Sequence, residues 1–285
     1  MSLSFTILGC GSSAGVPRVA QGWGDCDPAN PRNRRRRCAL GVSRTGAAGV
    51  SRTGAAGVSR AGAGKGRRED ATQIVVDLGP DIREQLLAAQ MERLDAVLLT
   101  HAHADHIHGI DDVRPYVIAQ GQMLPVYMDA PTAHGVREKF GYIFETPEGS
   151  NYPPLLLENR IVPGEEFAVQ GAGGPIEALP ILFRHGDIDA LGFRFGNVAY
   201  SPDVSDIPPE SAALLEGLDL WILDALRYRR HPSHLTVAQA LSWIERLKPR
   251  RAILTNLHTD LDYATLAAEL PDHVMPAHDG LRIET

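Results

Sequence analysis

Cysteine is scarce in this chain: Cys10, Cys26 and Cys38 are the only three among 285 residues. An odd set of three cannot build a disulfide framework, so a buried core has to hold the fold, and a reducing, cytoplasmic setting is expected. Long hydrophobic runs are also missing. No stretch reaches the roughly 18 consecutive apolar residues that span a bilayer, which excludes a transmembrane helix and any membrane partner that would need one. The first residues, MSLSFTILGCGSSAG, set no basic residue ahead of their short apolar stretch, so no secretory leader is expected. The most localised absence is of acid. Residues 32–68 contain no Asp or Glu but eleven of the 28 Lys and Arg, leaving 17 basic against 35 acidic side chains elsewhere. The net charge of −7 therefore conceals a body of −18 and a basic stretch of +11.

A composition 44% hydrophobic and 22% charged is that of a soluble globular protein. The length allows one large domain or two small ones, and no linker divides it, so one domain over 1–285 is expected. Within the basic stretch, GVSRTGAA (41–48), GVSRTGAA (49–56) and GVSRAGAG (57–64) repeat with a period of eight. That period is too short for solenoid units, and Gly, Ala and Ser at this density cannot pack a core. A low-complexity loop insertion at about 41–66 is the reading that follows. An arm for nucleic acid is the alternative, using 32–68, but arginines eight residues apart make a sparse patch and nucleic acid is not the expected partner.

Around the insertion the chain alternates short apolar runs with amphipathic ones. Strands are expected at 4–8, 38–43, 72–79, 94–100, 125–129, 177–183, 191–195, 197–201, 218–223 and 251–255. Helices fit 81–91, 132–140, 209–216, 236–247 and 263–269. CALGVS and TQIVVDLG then form a hairpin with the insertion at its tip. LDAVLLT (94–100) is apolar throughout, which implies a strand buried on both faces.

Immediately after that strand comes THAHADHIHG. His101, His103, Asp105 and His106 put three imidazoles and a carboxylate within six residues, where an apolar strand has no reason to end in uncompensated polar groups. Neutral imidazoles and carboxylates suit zinc, iron or manganese. The H-x-H pair fits an extended or looped segment that sends both rings to one centre, and the adjacent Asp105 and His106 are free to turn to a second.

The pattern H-x-H-x-D-H after an apolar strand resembles the signature of the metallo-β-lactamase superfamily. Later positions continue the resemblance in order: His185 in FRHGD, Asp203 in VAYSPDVS and His258 in ILTNLHTD. It implies an α/β fold, a four-layer αββα sandwich, and two divalent metal ions, zinc or manganese. His101, His103 and His185 would bind the first ion, and Asp105, His106 and His258 the second. Asp203 would bridge them beside a water or hydroxide. Within the superfamily the chain is most similar to PhnP-type phosphodiesterases, which open the 1,2-cyclic phosphate of a phosphorylated ribose. LGCGSSAGVPR (8–18), NPRNRRRRCALGV (30–42), HAHADHIHGIDDVRP (101–115) and HPSHLTVAQAL (231–241) carry that likeness. In the last, His234 matches the His of an H-x-T motif that assists phosphodiester cleavage from outside the metal shell, which makes His234, Asp105 and Asp203 the catalytic set.

His231 and Arg114 are the candidates for contact with the phosphate of a small phosphorylated substrate. The resemblance also suggests a homodimer. One departure stands out: PhnP-type enzymes often carry a Cys-rich structural zinc site, and here only Cys26 remains, between Asp25 and Asp27. One thiolate cannot close a four-ligand site, so no structural zinc is expected. Two other enzymes remain open on the ligands alone, a ribonuclease Z-like nuclease and a hydrolase of a non-phosphate ester. No long arm is inserted between the later strands, as the nuclease would require.

Overall fold

Runs such as IVV and AVLL carry apolar side chains in succession, and a strand of that kind needs cover on both faces. The computed structural model, which describes residues 2–46 and 70–285, provides it by stacking two seven-stranded sheets and covering each outer face with helices. The first half of the chain gives β1 (Leu3–Gly9), β2 (Ala39–Thr45), β3 (Ala71–Val76), α1 (Ile82–Ala89), β4 (Ala96–Leu98), α2 (Ala104–Ile107), α3 (Arg114–Gln120), β5 (Leu124–Met128), α4 (Ala130–Phe140) and β6 (Leu156–Arg160). The second half gives β7 (Phe167–Val169), β8 (Ile176–His185), β9 (Ile188–Phe195), β10 (Val198–Ser201), α5 (Pro209–Ala213), β11 (Leu220–Asp224), α6 (Val237–Leu247), β12 (Arg251–Thr255), α7 (Tyr263–Glu269), β13 (Val274–Pro276) and β14 (Arg282–Glu284).

The sheet orders are β14-β1-β2-β3-β4-β5-β6 and β13-β12-β11-β10-β9-β8-β7. Between the sheets lie Phe5, Ile7, Val42, Ile74 and Leu98 from one and Phe193, Phe195, Tyr200 and Ile222 from the other. Neighbours in sequence point the opposite way, as the two-residue strand period requires. Val75, Val97 and Val126 meet Ile82, Leu86, Ile107 and Val136 of the helices on the first outer face. Trp221, Leu223 and Leu254 meet Val237, Ala240, Ile244 and Leu266 on the second. The result is the expected αββα sandwich.

The central strands fall where the sequence predicts them, including the β2–β3 hairpin with Thr45 opposite Ala71. The repeat beyond its opening residues lies outside the described residues. Four strands are not legible in the sequence, and they are β6, β7, β13 and β14, the four sheet edges. An edge strand is half covered and short, so its apolar signal is weak. Helices α2 and α3 are also new; α2 is one turn inside the ADHI segment.

Strand direction decides where chemistry can gather. β3 and β4 are parallel, as are β10, β11 and β12, and β8 shares the direction of β10 because each is antiparallel to β9. Their carboxyl ends therefore collect at one edge of each sheet, the usual place for a site in an α/β protein.

Candidate metal centre

The site is assembled from those carboxyl ends. His101 and His103 follow β4, Asp105 and His106 sit in α2, His185 ends β8, Asp203 follows β10, and His234 precedes α6. His103 keeps an extended backbone and is the N-cap of α2, so the loop delivers H-x-H and the helical turn re-aims Asp105 and His106. Thr236 and Gln239 form a reciprocal capping box, with hydrogen bonds of 3.1 and 3.0 Å, that fixes the start of α6 two residues after His234.

The donor atoms converge on one carboxylate oxygen. Nε2 of His106, His185 and His101 lie 3.3, 3.5 and 3.6 Å from Asp203 Oδ2. Nδ1 of His103 is 2.9 Å from His101 Nε2 and 3.3 Å from His185 Nε2. Asp105 Oδ2 is 3.5 Å from His106 Nε2. Three groups could each hold a metal ion, with ligand atoms within 4.8 Å of one another: His101, His103 and His185; His101, His106 and Asp203; and His185, Asp203 and His234.

The far nitrogens are held by groups that sequence reasoning did not single out. His106 Nδ1 donates to Asp77 Oδ2 at 2.7 Å, and His185 Nδ1 to the Ser233 carbonyl at 2.7 Å. His101 Nδ1 lies 3.0 Å from Thr100 Oγ1, which in turn bonds Asp77. His234 Nδ1 is 2.8 Å from Asp224 Oδ2. Each such bond turns the ring's Nε2 toward the centre, the outer-shell arrangement that orients metal-ligating imidazoles. Asp77 and Asn256 both stand one residue past a strand with positive φ, a conformation that Asp and Asn tolerate better than other side chains. Asn256 Nδ2 donates to Asp203 Oδ1 at 3.1 Å. Asp77, Asp224 and Asn256 end apolar runs just as Asp203 does, and that was the signal available for finding them.

The electrostatics of the cluster suits a bound cation. Burial pushes the imidazoles of His101, His103 and His185 down, so all three are neutral bases. Burial acts against charge on His106 too, but the carboxylates of Asp203, Asp77 and Asp105 outweigh it and raise this ring well above the ordinary range. Asp203, although buried, is held well below the usual carboxylate range by His106 foremost and by His234 and His101. Among the described residues no Lys or Arg pairs with Asp77, Asp105, Asp203 or Asp224. Burying Asp77, Asp203 and Asp224 and partly burying Asp105 around these rings with no fixed cation is costly, and a bound metal ion removes that cost. The residues present therefore fit a metal centre.

His234 belongs to this cluster without being confined to a ligand's place in it. Its buried ring would be pushed down, but Asp224 foremost raises it to about 9. Burial pushes Asp224 up to about 6 against the pull of His234.

The other three candidates make these contacts. His258 is not in any of the three ligand groups; its Nε2 is 2.9 Å from Arg18 Nη1 and its Nδ1 3.0 Å from Asp260 Oδ1. Both nitrogens are engaged, and Asn256, two residues earlier, reaches Asp203 in its stead. Arg114 pairs with Asp111 at 3.0 Å and lines a separate groove of about 400 Å³ with Tyr142 and Tyr152. His231 stands at the rim, its ring 5.1 Å from that of His234 and its Nδ1 3.1 Å from Ser233 Oγ.

Near Cys26 the organising group is an arginine. Arg35 is only 2% exposed and donates to the carbonyls of Leu261 (2.7 Å) and His258 (3.2 Å), to Asn33 Oδ1 (3.1 Å) and to Cys26 Sγ (3.8 Å). It ties the amino-terminal loop to the 258–261 turn. Arg35→Leu leaves those acceptors buried and unmade, so unfolding free energy should fall by about 2–4 kcal/mol. Denaturant melts at constant m-value measure this, and a loss below about 1 kcal/mol would show that the turn holds itself.

Comparison with known proteins comes to the same place. A family model described as a beta-lactamase superfamily domain matches residues 72–256. A solved structure of a diphosphatase from the PhnP family superposes with a TM-score of 0.82 at 32% identity, covering 100% of this chain and 98% of that one. An octanoyltransferase of Porphyromonas gingivalis is 32% identical over 280 residues, 96% of this chain and 50% of that protein. A ribonuclease Z of Bradyrhizobium is 33% identical over 149 residues, 50% of this chain and 45% of that protein. The chain thus spans half or less of the length of these curated relatives. No helix among the described residues is long and apolar enough to cross a membrane.

Proposed function

The chain belongs to the metallo-β-lactamase superfamily of hydrolases, and on that footing we propose that it is a dinuclear metal-dependent phosphodiesterase acting on a small cyclic or ribose-linked phosphodiester. The observation that carries this reading is the convergence of three imidazole Nε2 atoms on Asp203 Oδ2, with His103 and Asp105 flanking them. His101, His103 and His185 would hold one divalent ion, Asp105 and His106 the other, and Asp203 both. Such a pair supplies Lewis acidity to a phosphoryl oxygen and lowers the pKa of a bound water.

The chain's own residues do the rest. Asp77, Thr100 and Ser233 lock the ring tautomers, so the donor atoms need little reorganisation when substrate arrives. His234 is aimed by Asp224 and lies 4.7 Å, ring to ring, from His185. Held as an imidazolium, it is a proton donor for a leaving alkoxide. Asn256 keeps Asp203 in place by donating to the oxygen that faces away from the imidazoles. A proton donor beyond the ligand set suits an ester with an alkoxide leaving group, phosphodiesters among them. The names of two relatives, a diphosphatase and a ribonuclease, describe cleavage at phosphorus and support the same class.

The test is a panel of nucleoside 2′,3′-cyclic phosphate, a ribose cyclic phosphate, bis(4-nitrophenyl) phosphate, a diphosphate ester and a carboxylic ester, each under zinc and under manganese loading. Turnover of the cyclic phosphodiesters with the carboxylic ester idle is expected. The reverse order would overturn the assignment to phosphorus.

A further inference from the structure

Helix α4 carries a glycine where a helix gains nothing from one. Gly135 is the sixth of its eleven residues, and an interior glycine weakens a helix relative to alanine because it has the most backbone freedom to lose. Its surroundings supply the reason. A methyl group on Gly135 would stand 2.8 Å from Cβ of Ala102, closer than two such atoms pack. One turn on, Lys139 Nζ donates to the Ala102 carbonyl and to the Gly135 carbonyl, each at 3.3 Å. Helix and loop are therefore joined twice, once by close contact and once by a hydrogen bond.

Ala102 is the middle residue of H-x-H. His103 keeps an extended backbone, and in an extended segment neighbours in sequence point to opposite sides. His101 and His103 turn to the centre, Nε2 of the first 2.9 Å from Nδ1 of the second. Ala102 turns to the helical side and packs against the cluster that contains Ala133 and Val136 of α4. Where Ala102 rests on α4 thus sets how far the two rings reach.

Asp105 and His106 rest on a different support. The Leu78 amide donates to the His106 carbonyl at 2.7 Å, Asp77 holds the His106 ring, and a methyl group on Gly79 would run into the Asp105 carbonyl. Asp77, Leu78 and Gly79 lie between β3 and α1, away from α4 in the chain. The two halves of HAHADH are seated on separate elements.

Resting on the dinuclear reading, we propose that Gly135 and Lys139 are positioning residues that act through Ala102 to set how tightly the ion of His101, His103 and His185 is held, while the ligands of the second ion stay seated on the 77–79 turn.

The experiment follows release of zinc from the fully loaded chain into excess chelator. Wild type should release two ions per chain in two phases. Gly135→Ala should speed one phase about ten- to hundredfold, the usual cost of disturbing an outer-shell support, and leave the other within about threefold. Anomalous diffraction from zinc-loaded crystals assigns the phase: the peak among His101, His103 and His185 should weaken in this variant, and the peak at Asp105 and His106 should not. Lys139→Met keeps the stem of the side chain but loses the donor. It should speed the same phase by less, and it carries the test if Gly135→Ala does not fold. In an Ala102→Gly background no Cβ remains for the new methyl to meet, so Gly135→Ala should there change little. A general loss of helix structure would instead show equally in both backgrounds. Equal acceleration of both ions, no acceleration in either α4 variant, or the same effect of Gly135→Ala with and without the Ala102 methyl would overturn the proposal. Should wild type hold a single ion, the dinuclear reading falls, and the Ala102→Gly comparison still decides whether α4 seats that ion.

Discussion

His234→Ala is expected to lower phosphodiester turnover by about 10²–10⁴-fold while the metal content of the loaded protein stays the same. The reason lies in what each side of the ring touches. Nδ1 is committed to Asp224 at 2.8 Å, and Asn256 Nδ2 stands 3.2 Å from the same nitrogen. The ring thus faces the centre while Asp224 stabilises its proton, the arrangement of a positioned acid. His101, His103, His106 and His185 need no help from it to surround Asp203. Because His234 also falls within 4.8 Å of His185 and Asp203 as a ligand-type group, metal analysis beside the kinetics is essential. If turnover and metal content fall together, His234 is a ligand. Asp224→Asn gives a finer result: the ring is still held by a hydrogen bond but loses the negative charge that raises its pKa. It should lower turnover less than His234→Ala does, with metal content again unchanged.

Asp203→Ala is expected to strip most of the metal and to lower turnover by about 10³-fold or more. Three imidazole nitrogens lie within 3.6 Å of its Oδ2. Without that oxygen the two ligand groups share no common donor, and the rings face one another with only Asp105 and Asp77 to offset a cation. Asp203→Asn keeps the volume and a bond to Asn256 but loses the charge, so it should retain the fold, shown by an unchanged far-ultraviolet dichroism spectrum, and still bind metal weakly. Full metal occupancy in either variant would mean that Asp203 does not join the two groups.

The sequence made the central strands and the ligand loop legible for one physical reason: a strand buried on both faces is apolar throughout, and a cluster of imidazoles at its end is conspicuous against it. LDAVLLT followed by HAHADH is the strongest case, and VAYSPD follows the same logic. Edge strands β6, β7, β13 and β14 escaped because half-covered strands do not need that pattern. Asp77 and Asp224 escaped because a lone carboxylate after an apolar run resembles an ordinary turn residue until the opposite sheet supplies its partner. His258 shows the limit of order along the chain. It follows a late apolar strand just as a ligand would, yet the left-handed turn at Asn256 presents Asn256 to Asp203 and sends His258 to Arg18. A two-residue difference in register on a loop cannot be read from hydrophobic periodicity.

The opening charge imbalance also resolves. The described part of the basic stretch is largely spent internally, with Arg35 buried against carbonyls and Arg36 and Arg37 paired with Asp279 and Asp81.

Anomalous diffraction from crystals of manganese-loaded protein tests the dinuclear centre most directly. Two peaks are expected about 3.5–4 Å apart, one among His101, His103 and His185, the other against Asp105 and His106, with Asp203 between them. A single peak, or a pair that leaves Asp203 uncoordinated, would contradict the account.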